Sequence, residues 1–329
     1  MTDEIPISRG GETLPEEFQA WWRQMPSKGL FFGLLAGWLA LFQFLGNSTL
    51  GYINTPSLFG WLDWMYRQSE DDAHGRWIPF VVLALFWWKR KDLMAVSKRS
   101  WWPAVILLLL GLLVHVFGFL VQQTQISVVG FFVGLYGLMG LVWGPKFLLA
   151  SFFPFCLFAF CLPLHNVSEP ITFPLRMVAT KITAGFCHIG LGINVIQDGT
   201  SIFDSNRTYT YEVAAACSGI RSLTAIMALS VIYGFVKLKA PWRRIAIIAS
   251  SLPLAVAANV FRLTSIIIAA EAFGGQSAGL YVHDSQWISL LPYLPAIFGI
   301  LLLGHWLREN KKPRQPIVQP ILSVAAKRL

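Results

Sequence analysis

A thiol and a guanidinium lie four residues apart in the stretch VAAACSGIRSL, residues 213–223. Residues i and i+4 are neighbours on an α-helix, so Cys217 and Arg221 would share one helical face. A helix N-terminus and an adjacent guanidinium both favour the nucleophilic thiolate. Ser218 and Gly219 lie between them, and the small glycine leaves room for a substrate backbone. The stretch predicts a cysteine nucleophile; the alternative is a small buried cysteine that only packs.

Two further segments carry residues that could assist a nucleophile, either by stabilising negative charge or by transferring protons. Arg262 interrupts an apolar run in ANVFRLTS, where an arginine costs about 2.5–3.5 kcal/mol at bilayer depth and normally faces a polar interior. Asn259 lies one turn before it in a small and polar stripe. We expect Arg262 to stabilise negative charge, with snorkelling to lipid headgroups as the alternative. In YVHDSQW, His283 is a candidate acid and base, and Asp284 a group that orients its ring.

These residues belong to a strongly apolar chain. Its 329 residues are 55% hydrophobic and 13% charged, and the mean hydropathy is +0.56. Such a composition excludes an ordinary soluble domain and predicts an all-α polytopic membrane protein. Eight segments have nearly the length needed to cross a bilayer: 29–46, 77–88, 101–121, 126–143, 147–164, 217–236, 245–272 and 287–306. A further segment, 170–192, is predicted to be an amphipathic or re-entrant helix near the interface.

The net charge of +9 comes from clusters of basic residues that mark one side of the membrane. Lys and Arg cluster at 89–99, at 237–244 and in the tail 307–329, which an eight-span arrangement places on one side. The positive-inside rule assigns that side to the cytoplasm, together with the N-terminus, and this reading excludes nucleic-acid binding. We therefore predict a cytoplasmic segment 1–28 followed by an uncleaved first span, a membrane domain 29–306, and a basic cytoplasmic tail.

The longest outer segment is 165–216. Within it, residues 193–213 alternate in part and contain turn signals at Asp198-Gly199 and Ser205-Asn206, which predicts two or three short extracytoplasmic strands. An exposed edge of such a sheet would accept an extended peptide by strand addition; a simple hairpin lid is the alternative.

The topology brings three kinds of group to one membrane face. At about 1.5 Å per residue, Arg262 lies roughly 25 Å from the cytoplasmic start of its span, close to the outer boundary where Cys217 lies. His283 precedes the last span on the same side. A nucleophile, a charge stabiliser and a base thus converge from three spans.

At these residues the sequence resembles the exosortase/archaeosortase family of integral membrane transpeptidases. The family pattern has a Cys in an A-C-S-G-[IL]-R motif, an Arg in an A-N-x-x-R motif and a His before the last span. Here these read AACSGIR, ANVFR and VHD, in the same order. The resemblance implies that Cys217 is the nucleophile, Arg262 the charge stabiliser and His283 the base, with Arg221 as the second arginine of the motif.

The resemblance also implies a substrate and a location. The partners would be membrane-anchored proteins with a C-terminal sorting signal of the PEP-CTERM kind, cleaved on the outer side of the cytoplasmic (inner) membrane through a thioester. A lipid or glycan amine, or water, would then resolve the thioester. No cofactor and no metal are implied. Two rival readings are a transporter, which would explain Arg262 alone, and a membrane glycan or acyl transferase, which would tolerate Cys217→Ser.

The remaining cysteines and the polar residues within 71–74 predict no functional site. Cys156, Cys161 and Cys187 form no disulfide or metal-ligand pattern, and we expect them to pack. Asp71, Asp72 and His74 predict a solvated turn rather than a cation site.

Overall fold

The structure is a computed structural model that describes residues 14–49, 51–69, 72–164, 169–207, 209–212, 220–273, 275–284, 291 and 293–308. It is mostly helical, with one small sheet. The helices and strands are, in chain order, α1 (Leu14–Gln24), α2 (Lys28–Leu45), α3 (Leu58–Gln68), α4 (Ile78–Trp88), α5 (Arg90–Ala95), α6 (Val105–Leu120), α7 (Thr124–Trp143), α8 (Pro145–Cys156), α9 (Glu169–Leu191), β1 (Val195–Asp198), β2 (Ser201–Asp204), β3 (Thr210–Glu212), α10 (Ile220–Lys237), α11 (Pro241–Ala249), α12 (Ser251–Phe273), α13 (Gln276–Asp284) and α14 (Tyr293–Trp306).

Helices occupy every one of the predicted apolar segments. Among the described residues, four helical stretches are long and apolar enough to cross a membrane: Lys28–Leu45, Trp102–Leu120, Thr124–Trp143 and Pro241–Phe273. Shorter apolar helices lie at Ile78–Trp88, Pro145–Cys161, Leu223–Lys237 and Tyr293–Trp306. The polytopic helical class is therefore confirmed, and the count of eight spans and their orientation stay predictions.

The first half of the chain packs around α6 and α7. Gly111 and Gly130 let these helices approach closely, since a Cβ at Gly111 would lie 2.7 Å from the Gly130 carbonyl oxygen. Small residues at such a contact maximise van der Waals packing between membrane helices. Trp38 of α2 closes the other side, where its indole Nε1 donates to the Phe131 carbonyl at 3.1 Å. These contacts make a rigid bundle from residues that carry no candidate chemistry.

The second half packs α9, α10 and α14 around α12. Leu223 and Ile226 of α10 meet Ala255 and Ala258 of α12 in one apolar cluster with Ile300 of α14. The helix bearing Arg262 is thus in direct contact with the helix that begins just after Cys217.

Helix α9 lies along α12 and runs in the same direction. Near its start Thr172 faces a cavity shared with Asn259, and near its end Cys187 packs against Ile267. The prediction of a helix over 170–192 is confirmed. Its buried face is formed by Thr172, Arg176, Ala179, Thr180, Thr183 and Cys187.

One apolar cluster joins the two halves. It combines Ile78, Val82 and Leu157 with Val231 and Ile232 of α10. The rings of Phe153 and Phe235 stack in parallel, 4.4 Å apart, between α8 and α10.

The predicted outer strands form a three-stranded antiparallel sheet in the order β1-β2-β3. Ile202 of β2 is fully buried against Cys187 of α9 and Ile267 of α12. The sheet is therefore seated on the ends of the two parallel helices.

Candidate active site

The candidate nucleophile lies just outside the described residues. Cys217, Ser218 and Gly219 belong to the stretch 213–219, for which no position is described. Both ends of that stretch are described, however. Five residue steps from Glu212 reach no further than about 18 Å, and three steps from Ile220 no further than about 11 Å. These lengths are the only limits that the described residues set on Cys217.

Three other candidate side chains also fall outside the description, although their backbones are placed. Arg221 lies in the first turn of α10, and His283 and Asp284 close α13. His283 was expected in a connection before the last span, and the structure puts it on this short helix. The two expected partners of Cys217, Arg262 and His283, thus belong to α12 and to the helix that follows it.

Arg262 is partly buried at the middle of α12. Its Nε is buried and has no hydrogen-bond partner among the described residues. Asn259, one turn earlier and 5% exposed, has a buried Oδ1 that is equally unpaired within the described part of the chain. Leaving such a group unpaired costs about 1–3 kcal/mol, so most buried polar groups find partners. A donor and an acceptor on one face are consequently available for a ligand or water.

A small cavity lies beside this face. It offers about 20 Å³ of space for water and is lined by Thr172, Leu175 and Arg176 of α9, Leu223 of α10, and Ala255, Val256 and Asn259 of α12. About 10–15 Å³ is enough for one water molecule when polar partners surround it. Leu223 belongs to α10 and Asn259 precedes Arg262 by three residues on α12, so the cavity adjoins both candidate helices.

Arg176 is a charged residue of this region that the sequence reasoning did not assign to the site. It was read as a polar residue of an interfacial helix, yet its side chain is 4% exposed between α9 and α12. The sequence does indicate this buried polar face, because four polar residues fall on one side of the helix: Thr172, Arg176, Thr180 and Thr183. A polar stripe on an otherwise apolar helix indicates a packed polar interface.

Strand β3 contacts two of the elements that carry candidate residues. The buried Tyr209, just before β3, donates a hydrogen bond from its hydroxyl to Glu271 Oε2 of α12 at 3.3 Å. The Thr210 carbonyl accepts from Gln276 Nε2, at the start of α13, at 3.4 Å. Burial, and next the charge of Glu271, raise the pKa of Tyr209, which keeps its hydroxyl protonated as a donor.

The first outer loop differs from the predicted solvated turn. Asp72 is 2% exposed, and its Oδ1 accepts from the backbone N–H of Leu164 at 2.9 Å. The Tyr66 hydroxyl donates to the Cys161 carbonyl at 2.5 Å in the same region. The turn prediction is wrong for Asp72, because a local count of polar residues does not reveal that the segment after α8, which contains Cys161 and Leu164, covers the loop. Asp71 lies outside the described residues.

The remaining cysteines show two different environments. Cys161 and Cys187 are buried, as expected for packing residues, whereas Cys156 is exposed on the outside of α8 and the packing prediction is wrong there. No three His, Cys, Asp or Glu side chains form a metal-binding group within the described ranges.

Comparison with known proteins bears on most of the helical region. The family model described as Transmembrane exosortase (Exosortase_EpsH) matches residues 61–316. No curated protein and no solved structure matches the chain. The family match covers well over half of the chain and includes all the candidate site residues, and on this ground the chain belongs to the transmembrane exosortase family.

Proposed function

We propose that the chain is a membrane-embedded cysteine transpeptidase that cleaves a C-terminal, PEP-CTERM-like sorting signal on the extracytoplasmic side of the inner membrane. Membership of the exosortase family supports a transmembrane sorting enzyme. The observation that carries the finer proposal is the pair of unpaired buried groups, Arg262 Nε and Asn259 Oδ1, on the helix packed against α10.

In the proposed first step the Cys217 thiolate attacks the carbonyl carbon of the scissile peptide bond. Arg262, with Arg221, stabilises the oxyanion that develops on the carbonyl oxygen. The carbon–nitrogen bond then breaks, and His283, with Asp284 orienting its ring, gives a proton to the leaving amine. The products are a thioester on Cys217 and a released C-terminal fragment.

In the second step an acceptor amine on a lipid or glycan attacks the thioester carbon. His283 takes the proton of that amine, the carbon–sulfur bond breaks, and the thiolate is regenerated. Water in place of the amine would give hydrolysis. Both outcomes use the same groups and need no cofactor.

Trapping the acyl-enzyme tests this proposal. The chain would be co-expressed with a membrane-anchored reporter that ends in a PEP-CTERM motif, a transmembrane helix and a basic tail. We expect a covalent enzyme–reporter conjugate that hydroxylamine cleaves, present with the Cys187→Ala control and absent with Cys217→Ala. A reporter processed at the wild-type rate by Cys217→Ala would end the transpeptidase proposal.

A further inference from the structure

The strand that delivers the chain to Cys217 is short and needs external support. β3 contains three residues, and four residues separate its end from Cys217. Sheets of this size gain stability from packing against helices rather than from their own ladder. Whatever fixes β3 therefore also limits where Cys217 can lie.

The main polar contact of this strand region is the one between Tyr209 and Glu271. Tyr209 is 2% exposed, so its hydroxyl is held away from water and gains from a charged acceptor. Glu271 lies nine residues, or two and a half turns, beyond Arg262 on the same rigid helix. The hydrogen bond thereby ties the approach to Cys217 to the helix that carries Arg262.

A second contact extends the same connection to α13. Gln276, at the first position of that helix, donates to the Thr210 carbonyl, and His283 lies two turns further along. The chain at 209–210 is thus in contact with both elements that carry the expected partners of the thiol.

We propose that Tyr209 and Glu271 are a positioning pair, which holds the start of β3 against the helix bearing Arg262 and thereby affects the reactivity of Cys217 further along the chain. This inference rests on the proposed function. Neither residue touches the reacting atoms; the pair acts by keeping the thiol in a geometry from which attack is productive, where small displacements cost much rate.

Processing kinetics of the co-expressed reporter test the pair. Tyr209→Phe and Glu271→Ala should each lower kcat by about tenfold, the size of one hydrogen bond to a charged group, with KM within about twofold of wild type. The double variant should be no slower than the slower single variant, since both remove the same bond. Glu271→Gln should keep near wild-type kcat, because its amide oxygen still accepts.

Two controls separate positioning from general damage. Tyr52→Phe removes the hydroxyl of a side chain that is 86% exposed and should leave kcat unchanged. If Tyr209→Phe does not accumulate in membranes, the comparison of kcat between Glu271→Ala and Glu271→Gln decides alone. Glu271 is exposed, so its variants are expected to fold.

A substrate-free measurement distinguishes this proposal from the proposed function. In a chain with Cys156, Cys161 and Cys187 replaced by alanine, the rate at which maleimide alkylates Cys217 should change at least threefold in Tyr209→Phe and Glu271→Ala, and not in Glu271→Gln. Three results would each overturn the proposed pair. The effects on kcat could multiply in the double variant, Glu271→Gln could be as slow as Glu271→Ala, or the alkylation rate could stay unchanged. Wild-type processing by Cys217→Ala would instead overturn the proposed function and leave the alkylation result standing.

Discussion

Arg176 of α9 and Asn259 of α12 face the same buried cavity from two helices that run side by side. Both side chains are almost fully enclosed, and Asn259 belongs to the face that also carries Arg262. A guanidinium buried at this position adds positive charge and hydrogen-bond donors to the cavity that Asn259 lines. The polar interior of the second half therefore reaches from α9 to α12, the helix that carries Arg262.

Removing the Arg176 guanidinium should impair processing. Arg176→Met keeps much of the side-chain length and loses every donor, and we expect reporter processing to fall about tenfold or more at matched protein levels. Lys181→Met is the matched control on the exposed face of α9 and should process the reporter at the wild-type rate. Activity of Arg176→Met within about threefold of wild type would show that the cavity is unconnected to the chemistry.

The thiol at Cys217 should be irreplaceable by a hydroxyl. Cys217→Ser retains the shape of the side chain, but a serine hydroxyl without a dedicated strong base is a far weaker nucleophile than a thiolate, so processing should be abolished. Alanine at Cys156, Cys161 and Cys187 should leave processing near wild type. Immunoblots of the reporter measure both, and an active Cys217→Ser would favour a membrane glycan or acyl transferase.

Arg262 should require its planar guanidinium as well as its charge. Lysine preserves the charge but not two parallel hydrogen bonds, so Arg262→Lys should accumulate normally and lose on the order of 10²-fold in rate. Arg262→Ala should be at least as inactive. If Arg262 only reached lipid headgroups, lysine would serve equally well, and the processing rate of Arg262→Lys would stay within about threefold of wild type.

The orientation of the chain can be measured independently of activity. In a chain without its native cysteines, an impermeant thiol reagent should label Asp204→Cys and Asp284→Cys in intact cells. Asp92→Cys and Ala240→Cys should react only after the membrane is opened, since the positive-inside rule places their loops in the cytoplasm. The reverse pattern would move the candidate site to the cytoplasm and contradict extracytoplasmic sorting.

Sequence reasoning located the helices well, because the thickness of a bilayer sets the length of an apolar segment. Sequence reasoning was less accurate about interruptions within these apolar segments. The predicted span 245–272 lies within the helical stretch Pro241–Phe273, but the sequence reasoning did not predict the interruption at Ser250, where α11 ends at Ala249 and α12 begins at Ser251. Pro253 explains the break, since proline has no N–H to bond the carbonyl four residues earlier and its ring clashes with that carbonyl.

The candidate site was only partly predictable, for a different reason. Cys217, Arg262 and His283 stand out because their residue types are unusual at the outer ends of apolar segments. Arg176, Tyr209 and Glu271 do not stand out, because their roles depend on which helices and strands come together. Contacts such as that of Tyr209 with Glu271 join residues far apart in the chain, and no local pattern encodes them.

The core of the first half has a consequence for the order in which the protein is made. All of its side chains come from the chain between Met25 and Leu162. A ribosome synthesises these residues before it reaches α9, so this bundle is able to form before the second half is complete, since early regions fold first during synthesis. A chain that ends at residue 164 should accordingly insert and resist proteolysis by itself. The nascent half that carries Cys217 would then assemble on a finished membrane scaffold.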